Sequence, residues 1–338
     1  MKELFKGKTI LITGGTGYLG RALTRRLLEY EPKKIRVFSR DEVKHFRMDE
    51  EFNHDDRISH LVGDVRDYKR VERAVRGADI VIHAAAMKRI DMIEYNVFEG
   101  IQTNVLGTMN VVDACLANNV EKAVYISTDK ACLPVNSYGA MKLLGERIFI
   151  ESNYSKGSAK TAFFSVRYGN VLESTGSVIP FFVEKIKSGK EIPITDNKMT
   201  RFIISHDQAA DLVFFALQHG IGGEVFVPKL PAFKLPDLAA VLKKHYNSRN
   251  PTKVIGIRPG EKLDELMVNE YEAPFTYDLG KYMVITSQIE KYLDRAKYAY
   301  LKDKPTVSFK EYSSRDAVVT DGELEKILKE VGALNDSA

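Results

Sequence analysis

The sequence lacks most features of secreted, membrane-spanning and nucleic-acid-binding proteins. Its 338 residues contain two cysteines, Cys115 and Cys132, whose spacing fits neither a disulfide framework nor a metal site. No apolar run approaches the roughly 18–20 residues of a membrane-spanning helix, and we recognise no signal peptide. The formal net charge is only +4, without a lysine- and arginine-rich block, so we expect no nucleic acid partner. These absences favour a cytoplasmic protein with no membrane insertion and no metal.

The N-terminal half alternates apolar strands with helices. The predicted strands span residues 8–13, 35–38, 58–63, 79–83, 123–126 and 161–167, and the predicted helices span 20–30, 71–75, 97–118 and a segment after Tyr138. Nearly continuous apolar strands that alternate with helices indicate a parallel sheet with both faces covered. We therefore predict the α/β class, with a doubly wound (Rossmann) parallel sheet.

Beyond residue 170 prolines divide the chain into short elements. A chain of this length commonly forms a large domain and a smaller one. We predict a dinucleotide-binding domain over residues 1–170 and a smaller, mixed domain over 171–334 that binds mainly the substrate. A strand near residues 224–228 is predicted to return to the main sheet.

A glycine-rich turn follows the first predicted strand. Residues 13–20, Thr-Gly-Gly-Thr-Gly-Tyr-Leu-Gly, have the spacing G-x-x-G-x-x-G, a variant of the dinucleotide fingerprint. Many turns use glycine for positive φ alone, but a strand before and a helix after the turn favour phosphate binding at the helix N-terminus. The predicted cofactor-binding residues of this turn are Gly14, Thr16, Gly17, Tyr18 and Leu19.

The residues after the second strand indicate which dinucleotide binds. An acidic residue there suits the ribose of NAD, whereas an arginine suits the 2′-phosphate of NADP. Ser39, Arg40 and Lys44 follow the strand and favour NADP, although Arg40 could instead pair with Asp41 or Glu42. The remaining predicted cofactor contacts are Asp64 and Val65 beside the adenine, and Ala84, Ala85, Ala86 and Lys88 along the edge of the sheet.

Polar residues cluster where the strand over residues 123–126 ends. Ser127-Thr128-Asp129-Lys130 follows that strand, and Tyr138 and Lys142 are four residues apart, on one face of a helix. A nearby ammonium and a cationic nicotinamide favour the phenolate, which lets a tyrosine accept a hydroxyl proton. We predict that Thr128, Asp129, Lys130, Tyr138 and Lys142 are catalytic, and that Tyr138 and Lys142 also contact the cofactor.

These motifs resemble the extended short-chain dehydrogenase/reductase family, and most closely its inverting UDP-N-acetylglucosamine 4,6-dehydratases of polysaccharide and flagellin-glycan biosynthesis. The resemblance covers nearly the whole chain. Thr128-Asp129-Lys130 is its most specific element, since the retaining sugar dehydratases have a sequence similar to Thr-Asp-Glu at these positions. Two positions depart from the subgroup: Tyr18-Leu19 stands where Ser-Phe is usual, and Asp264 where His is common.

The resemblance implies an NADP-dependent lyase that acts on a UDP-sugar. Oxidation at C4 makes the C5 proton acidic, water is lost across C5 and C6, and hydride returns to C6 while C5 is inverted, giving a UDP-4-keto-6-deoxy-L-arabino-HexNAc. Tyr138 would be the base at O4, with Lys142 as its modulator and Thr128 as a hydrogen-bond partner of O4. Asp129 would be the acid at C6 with a raised pKa, and Lys130 the base at C5 with a depressed pKa, unless the two titrate as a coupled pair.

Further residues are candidates for binding the substrate. Lys88, Asn170, Arg201 and Arg258 offer groups for the sugar or the phosphates, and Glu261 offers an acceptor for a ribose hydroxyl. The resemblance also implies a homo-oligomer, a dimer or larger, with a helical interface formed by the helix over residues 97–118 and the helix after Tyr138.

Three other functions remain open from the sequence. A UDP-hexose 4-epimerase would use Tyr138 and Lys142 but has no need of the Asp129–Lys130 pair. A dehydratase with additional epimerase activity would use every group named above. A non-catalytic NADP-binding scaffold would have no need of Tyr138 or Lys142, and both are present.

Overall fold

Apolar segments rich in β-branched residues form the strands of the computed structural model, which describes residues 1–172, 178–288 and 298–334. Strand β1, with the sequence TILIT, is buried along its whole length, as expected of a strand covered on both faces. The strands before residue 172 are β1 (Thr9–Thr13), β2 (Lys34–Ser39), β3 (Ile58–Val62), β4 (Ile80–His83), β5 (Lys122–Ile126), β6 (Ala162–Val166) and β7 (Asn170–Val171). The later strands are β8 (Ile192–Ile194), β9 (Thr200–Ile204), β10 (Val225–Pro228), β11 (Ala232–Lys234), β12 (Thr252–Val254), β13 (Leu266–Val268), β14 (Thr276–Asp278), β15 (Tyr282–Ile285) and β16 (Tyr312–Ser313).

Helices connect these strands and cover the sheet. The first eight are α1 (Lys2–Phe5), α2 (Tyr18–Leu28), α3 (Glu42–Glu51), α4 (Tyr68–Val75), α5 (Ile90–Tyr95), α6 (Val97–Ile101), α7 (Gly107–Ala117) and α8 (Ser137–Ser155). The later helices are α9 (Val178–Lys187), α10 (His206–His219), α11 (Leu235–His245) and α12 (Asp321–Glu330). No helix in the described ranges is both long enough and apolar enough to cross a bilayer.

Nine of the described strands form one sheet, in the order β14-β15-β10-β6-β5-β4-β1-β2-β3. Every neighbouring pair from β3 to β10 is parallel, whereas β15 runs antiparallel to both β10 and β14. This confirms the doubly wound α/β fold and adds an antiparallel hairpin at one edge. β10 pairs with β6 through Val225 and Phe226, so the segment near residues 224–228 lies in the main sheet. The proposed division at residue 170 stays a prediction.

The helix predicted over residues 97–118 contains a wider turn. α6 and α7 are joined by a π-helical turn, Gln102–Leu106. This turn carries the buried Asn104, whose side chain accepts from the Met87 amide at 2.8 Å and donates to the Met87 carbonyl at 2.9 Å. The π turn therefore holds the loop that follows β4 against the helical layer.

Segments after residue 170 also pack around a core of their own. Its buried members come mainly from α9, α11 and α12 and include Phe182, Leu238, Leu242, Leu324 and Leu328. Arg167, at the end of β6, links the two parts of the chain because its buried guanidinium binds Glu146 of α8 at 2.7 Å and Glu272 at 2.8 Å. The parts of the chain before and after residue 170 thus share a buried ion-pair triad.

Candidate active site

The glycine turn between β1 and α2 has the geometry that a bound phosphate requires. Gly14 has a φ of +68°, and a Cβ there would lie 2.8 Å from the Ala85 nitrogen. At Gly20 a Cβ would lie 2.2 Å from the Gly15 carbonyl oxygen, so helix and turn are in direct backbone contact. Gly17 is the residue that precedes α2, where helix N–H groups and the helix dipole favour an anion. These residues fit the pyrophosphate of a dinucleotide.

Buried hydrogen bonds fix the loop that faces this turn. Thr13 Oγ1 accepts from the Ala85 amide at 3.2 Å and lies 2.6 Å from His83 Nδ1, while the other nitrogen of His83 lies 3.0 Å from Thr108 Oγ1. Burial, assisted by the charge of Lys142, lowers the pKa of His83 to about 3, so the imidazole is neutral. The Ala84–Ala86 loop therefore rests on a rigid, uncharged support.

Ser39, the last residue of β2, lies beside the glycine turn. Ser39 Oγ lies 2.8 Å from Thr16 Oγ1 and 3.0 Å from His45 Nε2. The Arg40 side chain is 56% exposed and its guanidinium lies 3.7 Å from Asp64, rather than beside Asp41 or Glu42. Arg40 therefore remains accessible to a ligand.

Three other predicted cofactor contacts are already engaged. Lys44 lies 3.4 Å from Asp41 at the start of α3. The Asp64 carboxylate accepts from Arg66 at 2.9 Å, and the Val65 side chain is buried in the core beside α4 and α7. A contact between the Val65 side chain and the cofactor would require movement of that core. The backbone of Val65, by contrast, lies in the loop between β3 and α4.

The chain after β5 turns sharply and places two opposite charges side by side. Residues Asp129–Ala131 form one 3-10 turn. Asp129 is completely buried, and its Oδ1 accepts from Lys130 Nζ at 2.9 Å and from Thr128 Oγ1 at 3.0 Å. Asp129 Oδ2 is also buried and has no hydrogen-bond partner among the described residues. One oxygen of this carboxylate is thus free to take a proton or a ligand hydroxyl.

The pKa of Asp129 is shifted in the direction expected from the sequence, whereas the pKa of Lys130 is shifted in the opposite direction. Burial raises the pKa of Asp129 and Glu265 adds to the increase, although Lys130 opposes it. Burial disfavours the charge of Lys130, but Asp129 and Glu265 outweigh it and hold the pKa of Lys130 above its ordinary value. The expectation of a depressed pKa for Lys130 is therefore wrong, and the lysine carries its proton.

Tyr138 and Lys142 lie in the first turns of α8, as their spacing predicts. Asn136 caps the helix by accepting from the Gly139 amide at 2.7 Å. Burial raises the pKa of Tyr138 to about 12, and the cation that opposes this increase is Lys130 rather than the expected Lys142. Lys142 is buried and donates to the Ile126 carbonyl, and burial lowers its pKa to about 7. With this raised pKa, Tyr138 is a neutral phenol near pH 7.

Glu265, a residue that the motifs did not single out, completes the charge cluster. It is buried, and its Oε1 lies 3.4 Å from Lys130 Nζ and 3.8 Å from Arg201 Nε. Its Oε2 lies 4.0 Å from Lys262 Nζ and has no hydrogen-bond partner in the described part of the chain. No spacing pattern marks this glutamate, because Lys130 and Arg201 are distant from it in sequence.

The predicted substrate residues fall into two groups. Asn170 and Arg201 lie in the cluster: Asn170 accepts from Lys130 at 3.0 Å, and Arg201 donates to the Thr200 carbonyl at 2.7 Å and the Lys262 carbonyl at 3.0 Å. Arg201 is thus a buried structural fork whose N–H groups are largely engaged.

The second group of predicted substrate residues lies outside the cluster. Lys88 and Arg258 are exposed, and one oxygen of Glu261 is buried without a hydrogen-bond partner among the residues described. Lys88 lies near His206, since burial first and then the charge of Lys88 lower the pKa of that imidazole. His206 in turn stacks on Tyr18 of the glycine turn at 5.4 Å. Lys88 therefore lies near the predicted cofactor site.

The chain is similar to enzymes that act on nucleotide sugars. It is 47% identical over 289 residues to a UDP-N-acetylglucosamine 4,6-dehydratase (inverting) of Campylobacter jejuni subsp. jejuni serotype O:23/36 (strain 81-176), covering 85% of either chain. It is 41% identical over 317 residues to a UDP-glucose 4-epimerase of Rickettsia rickettsii (strain Sheila Smith), covering 93% of this chain and 92% of that one.

Solved structures show the same fold. The X-ray structure of Pen from Bacillus thuringiensis superposes with a TM-score of 0.90 at 38% identity, covering 97% of this chain and 99% of that one. The dTDP-glucose 4,6-dehydratase DesIV of Streptomyces venezuelae, solved with NAD and TYD bound, has a TM-score of 0.68 at 21% identity over 75% of this chain and 86% of that one, a likeness of fold alone.

A family model described as polysaccharide biosynthesis protein matches residues 10–287. That match covers well over half of the sequence and agrees with the resemblance to extended short-chain dehydrogenases drawn from the motifs. The chain therefore belongs to the polysaccharide biosynthesis protein family.

Proposed function

We propose that this protein is a C5-inverting UDP-N-acetylglucosamine 4,6-dehydratase, a hydro-lyase that forms a UDP-4-keto-6-deoxy-L-arabino-HexNAc. The observation that carries the proposal is the Asp129–Lys130 ion pair in the turn after β5, which packs against the helix that carries Tyr138 and Lys142. The 47% identity to a relative with that name supports the same conclusion. An acid and a base side by side are what loss of water from adjacent carbons requires.

The proposed cofactor is NADP. Bound at the glycine turn, the dinucleotide supplies the hydride acceptor and, at the end of the cycle, the hydride donor, so no net redox change occurs. Gly14, Gly17 and the start of α2 would hold its pyrophosphate, and Ser39 and Arg40 the 2′-phosphate. The exposure of Arg40 at the end of β2 supports NADP over NAD.

Tyr138 and its neighbours would act on the C4 hydroxyl. Thr128 interacts with the Tyr138 hydroxyl and lowers its pKa, so both groups can contact the same substrate oxygen. Proton removal from O4 requires that the pKa of Tyr138 fall below about 12. The Lys130 ammonium already opposes the increase, and a bound cationic nicotinamide would lower the pKa further. Lys142, held by the Ile126 carbonyl, would anchor a ribose hydroxyl.

Loss of water would follow a proton transfer within the Asp129–Lys130 pair. Movement of one proton from Lys130 Nζ to Asp129 converts the ion pair into a neutral amine and a carboxylic acid. The amine then takes the C5 proton, the C5–H electrons form the C5–C6 double bond, and Asp129 protonates the departing O6 as water. The raised pKa of Asp129 favours this transfer, and the step restores the original ion pair.

The remaining proposed contacts are those with the diphosphate and the ribose of the substrate. Arg258 is exposed and offers a planar fork to the diphosphate. Glu261 has a buried oxygen with no hydrogen-bond partner in the described part of the chain, which suits a ribose hydroxyl, and Lys88 suits a phosphate or the sugar. Asn170 and Arg201 would act by holding Lys130 and Glu265 in place.

Proton NMR in deuterated water tests the function and separates the two central roles. Purified protein with NADP and UDP-N-acetylglucosamine should develop a new methyl signal and an inverted C5. Asp129→Asn should lower the rate of the 6-deoxy product by about 10²–10⁴, and Lys130→Ala should abolish deuterium incorporation at C5. Formation of product at the wild-type rate by either variant would refute its assigned role.

A UDP-hexose 4-epimerase is the second candidate, and the 41% identity to the Rickettsia relative supports it. The same experiment distinguishes the two, because an epimer retains its C6 hydroxyl and shows no methyl signal. Appearance of a second 4-keto-6-deoxy isomer would indicate additional epimerase activity.

We also propose that the protein is cytoplasmic and forms a homo-oligomer through α5–α8. Apolar side chains on these helices are exposed: Met92, Tyr95, Phe98, Ile101, Met109 and Leu144. Tyr95 and Phe98 are 94% and 68% exposed, which an interface would explain. Phe98→Glu should lower the molar mass measured by light scattering, whereas Phe46→Glu, on exposed α3, should not.

A further inference from the structure

Glu265 supplies a third oxygen beside the Lys130 ammonium. The Lys130 ammonium has three N–H groups, and three oxygens surround it: Asp129 Oδ1 at 2.9 Å, Asn170 Oδ1 at 3.0 Å and Glu265 Oε1 at 3.4 Å. These oxygens come from the turn after β5, from β7 and from the residue before β13. Lys130 is therefore held by three separate parts of the fold.

The charged groups around Glu265 keep it ionised. Arg201 of β9 and Lys262 of the preceding loop face its two oxygens, at 3.8 Å and 4.0 Å, and Lys130 faces Oε1. Burial raises the pKa of Glu265, but these three cations outweigh it and hold the pKa below the ordinary value. Asp129 is the other carboxylate in the cluster, and Tyr138 the nearby phenol.

The two carboxylates beside Lys130 consequently differ as proton acceptors. Among the described residues, Asp129 has one oxygen without a hydrogen-bond partner, and Lys130 is the one cation within 4 Å of its carboxylate. Glu265 has three positive neighbours. A proton that leaves Lys130 is thus more stable on Asp129 than on Glu265 or on the amide of Asn170.

We propose that Glu265 is a positioning residue for the dehydration step: it holds one N–H of Lys130 as a permanent anion, so that the proton which leaves Lys130 moves to Asp129. This role deepens the proposed dehydratase function and rests on it. Asn170 holds the second N–H, and the third lies on the line to Asp129. The step moves one proton from nitrogen to oxygen and leaves Glu265 unchanged.

The charge of Glu265 should set the pH range of the reaction. Its negative charge stabilises the Lys130 ammonium and opposes ionisation of Asp129, so Glu265→Gln should move both limbs of the bell-shaped pH profile to lower pH, by on the order of one unit. Glu265→Asp withdraws the carboxylate by one methylene and should give a smaller shift in the same direction. A purely structural role would reduce the height of the profile and leave its position unchanged.

The profile is measured as C5 deuterium incorporation with NADP and UDP-N-acetylglucosamine present, and a ¹⁵N-lysine titration follows Lys130 without substrate. Glu270→Gln is the matched control, since Glu270 is an exposed carboxylate that pairs with Lys310 at 2.9 Å, and its profile should equal that of the wild type. An unmoved profile in both Glu265 variants overturns the proposal. Absence of dehydration in the wild type refutes the proposed function instead, and the Lys130 titration then still decides whether Glu265 stabilises its charge.

Discussion

Lys142 Nζ donates to the carbonyl of Ile126, the last residue of β5, and lies 4.0 Å from the centroid of the Tyr125 ring. This carbonyl, the ring face and the charge of Glu146 compensate the ammonium only in part for loss of water, and burial lowers its pKa to about 7. An unfolded lysine has a pKa near 10.4. The folded protein therefore binds fewer protons than the unfolded chain between about pH 7 and pH 10.5, and stability rises with pH across that window.

Lys142→Met should consequently stabilise the protein while it abolishes activity. The gain in the free energy of unfolding should be constant below about pH 7 and should decrease towards zero as the pH approaches 10.5. Urea unfolding at pH 6, 8 and 10 measures it. Lys33→Met, at an exposed lysine, should show no such dependence. A gain that grew with pH would contradict the assignment.

Gly14→Ala should destabilise the protein more than Gly7→Ala. Both glycines have positive φ, +68° and +71°, which costs an alanine about 1 kcal/mol. A Cβ at Gly14 would also meet the backbone of Ala84 and Ala85, whereas no atom lies within 4 Å of one at Gly7. Urea unfolding should give a loss of several kcal/mol at Gly14 and about 1 kcal/mol at Gly7. Equal losses would show that the contact of Gly14 with the backbone of Ala84 and Ala85 adds nothing to the cost of the substitution.

Arg40→Ala should weaken NADPH binding about tenfold, or roughly 1.4 kcal/mol, and leave NADH binding unchanged. The guanidinium lies at the end of β2 and would pair with the 2′-phosphate that only NADPH carries. Titration monitored by nicotinamide fluorescence measures both affinities. Lys44→Ala is the matched control and should have the smaller effect, since Lys44 already pairs with Asp41. An equal loss for NADH would assign Arg40 to another part of the cofactor.

Arg167→Met should destabilise the protein by about 3–5 kcal/mol, because Glu146 and Glu272 would be left buried without a cation. Addition of Glu146→Gln and Glu272→Gln removes the unpaired charges and should restore part of the loss. The midpoint of urea unfolding reports both changes. If the triple variant were no more stable than Arg167→Met, the cost would arise from packing and not from charge.

The sequence predicted those parts of the site that depend on local pattern. The glycine spacing located the turn before α2, and the four-residue spacing of Tyr138 and Lys142 placed both on α8, because these features depend on neighbours in the chain. The parallel sheet followed from the alternation of strands and helices.

The parts that escaped prediction depend on contacts between distant segments. Glu265 meets Lys130 only after β13 packs near the turn that follows β5, and no residue pattern encodes that approach. The protonation of Lys130 was misjudged for the same reason, since it depends on carboxylates from two segments. Arg201 donates to the backbone carbonyls of Thr200, Lys262 and Leu263, and no residue pattern encodes these contacts; its expected role in binding phosphate stays a prediction.

The pairing of β6 with β10 has a consequence for synthesis of the chain. A ribosome completes β6 long before β10 emerges, and until then one edge of β6 presents unpaired amides and carbonyls. The nascent chain thus passes through a stage in which its N-terminal half is almost assembled but still able to pair with another copy. Rapid translation of the segment between these strands would shorten that exposure.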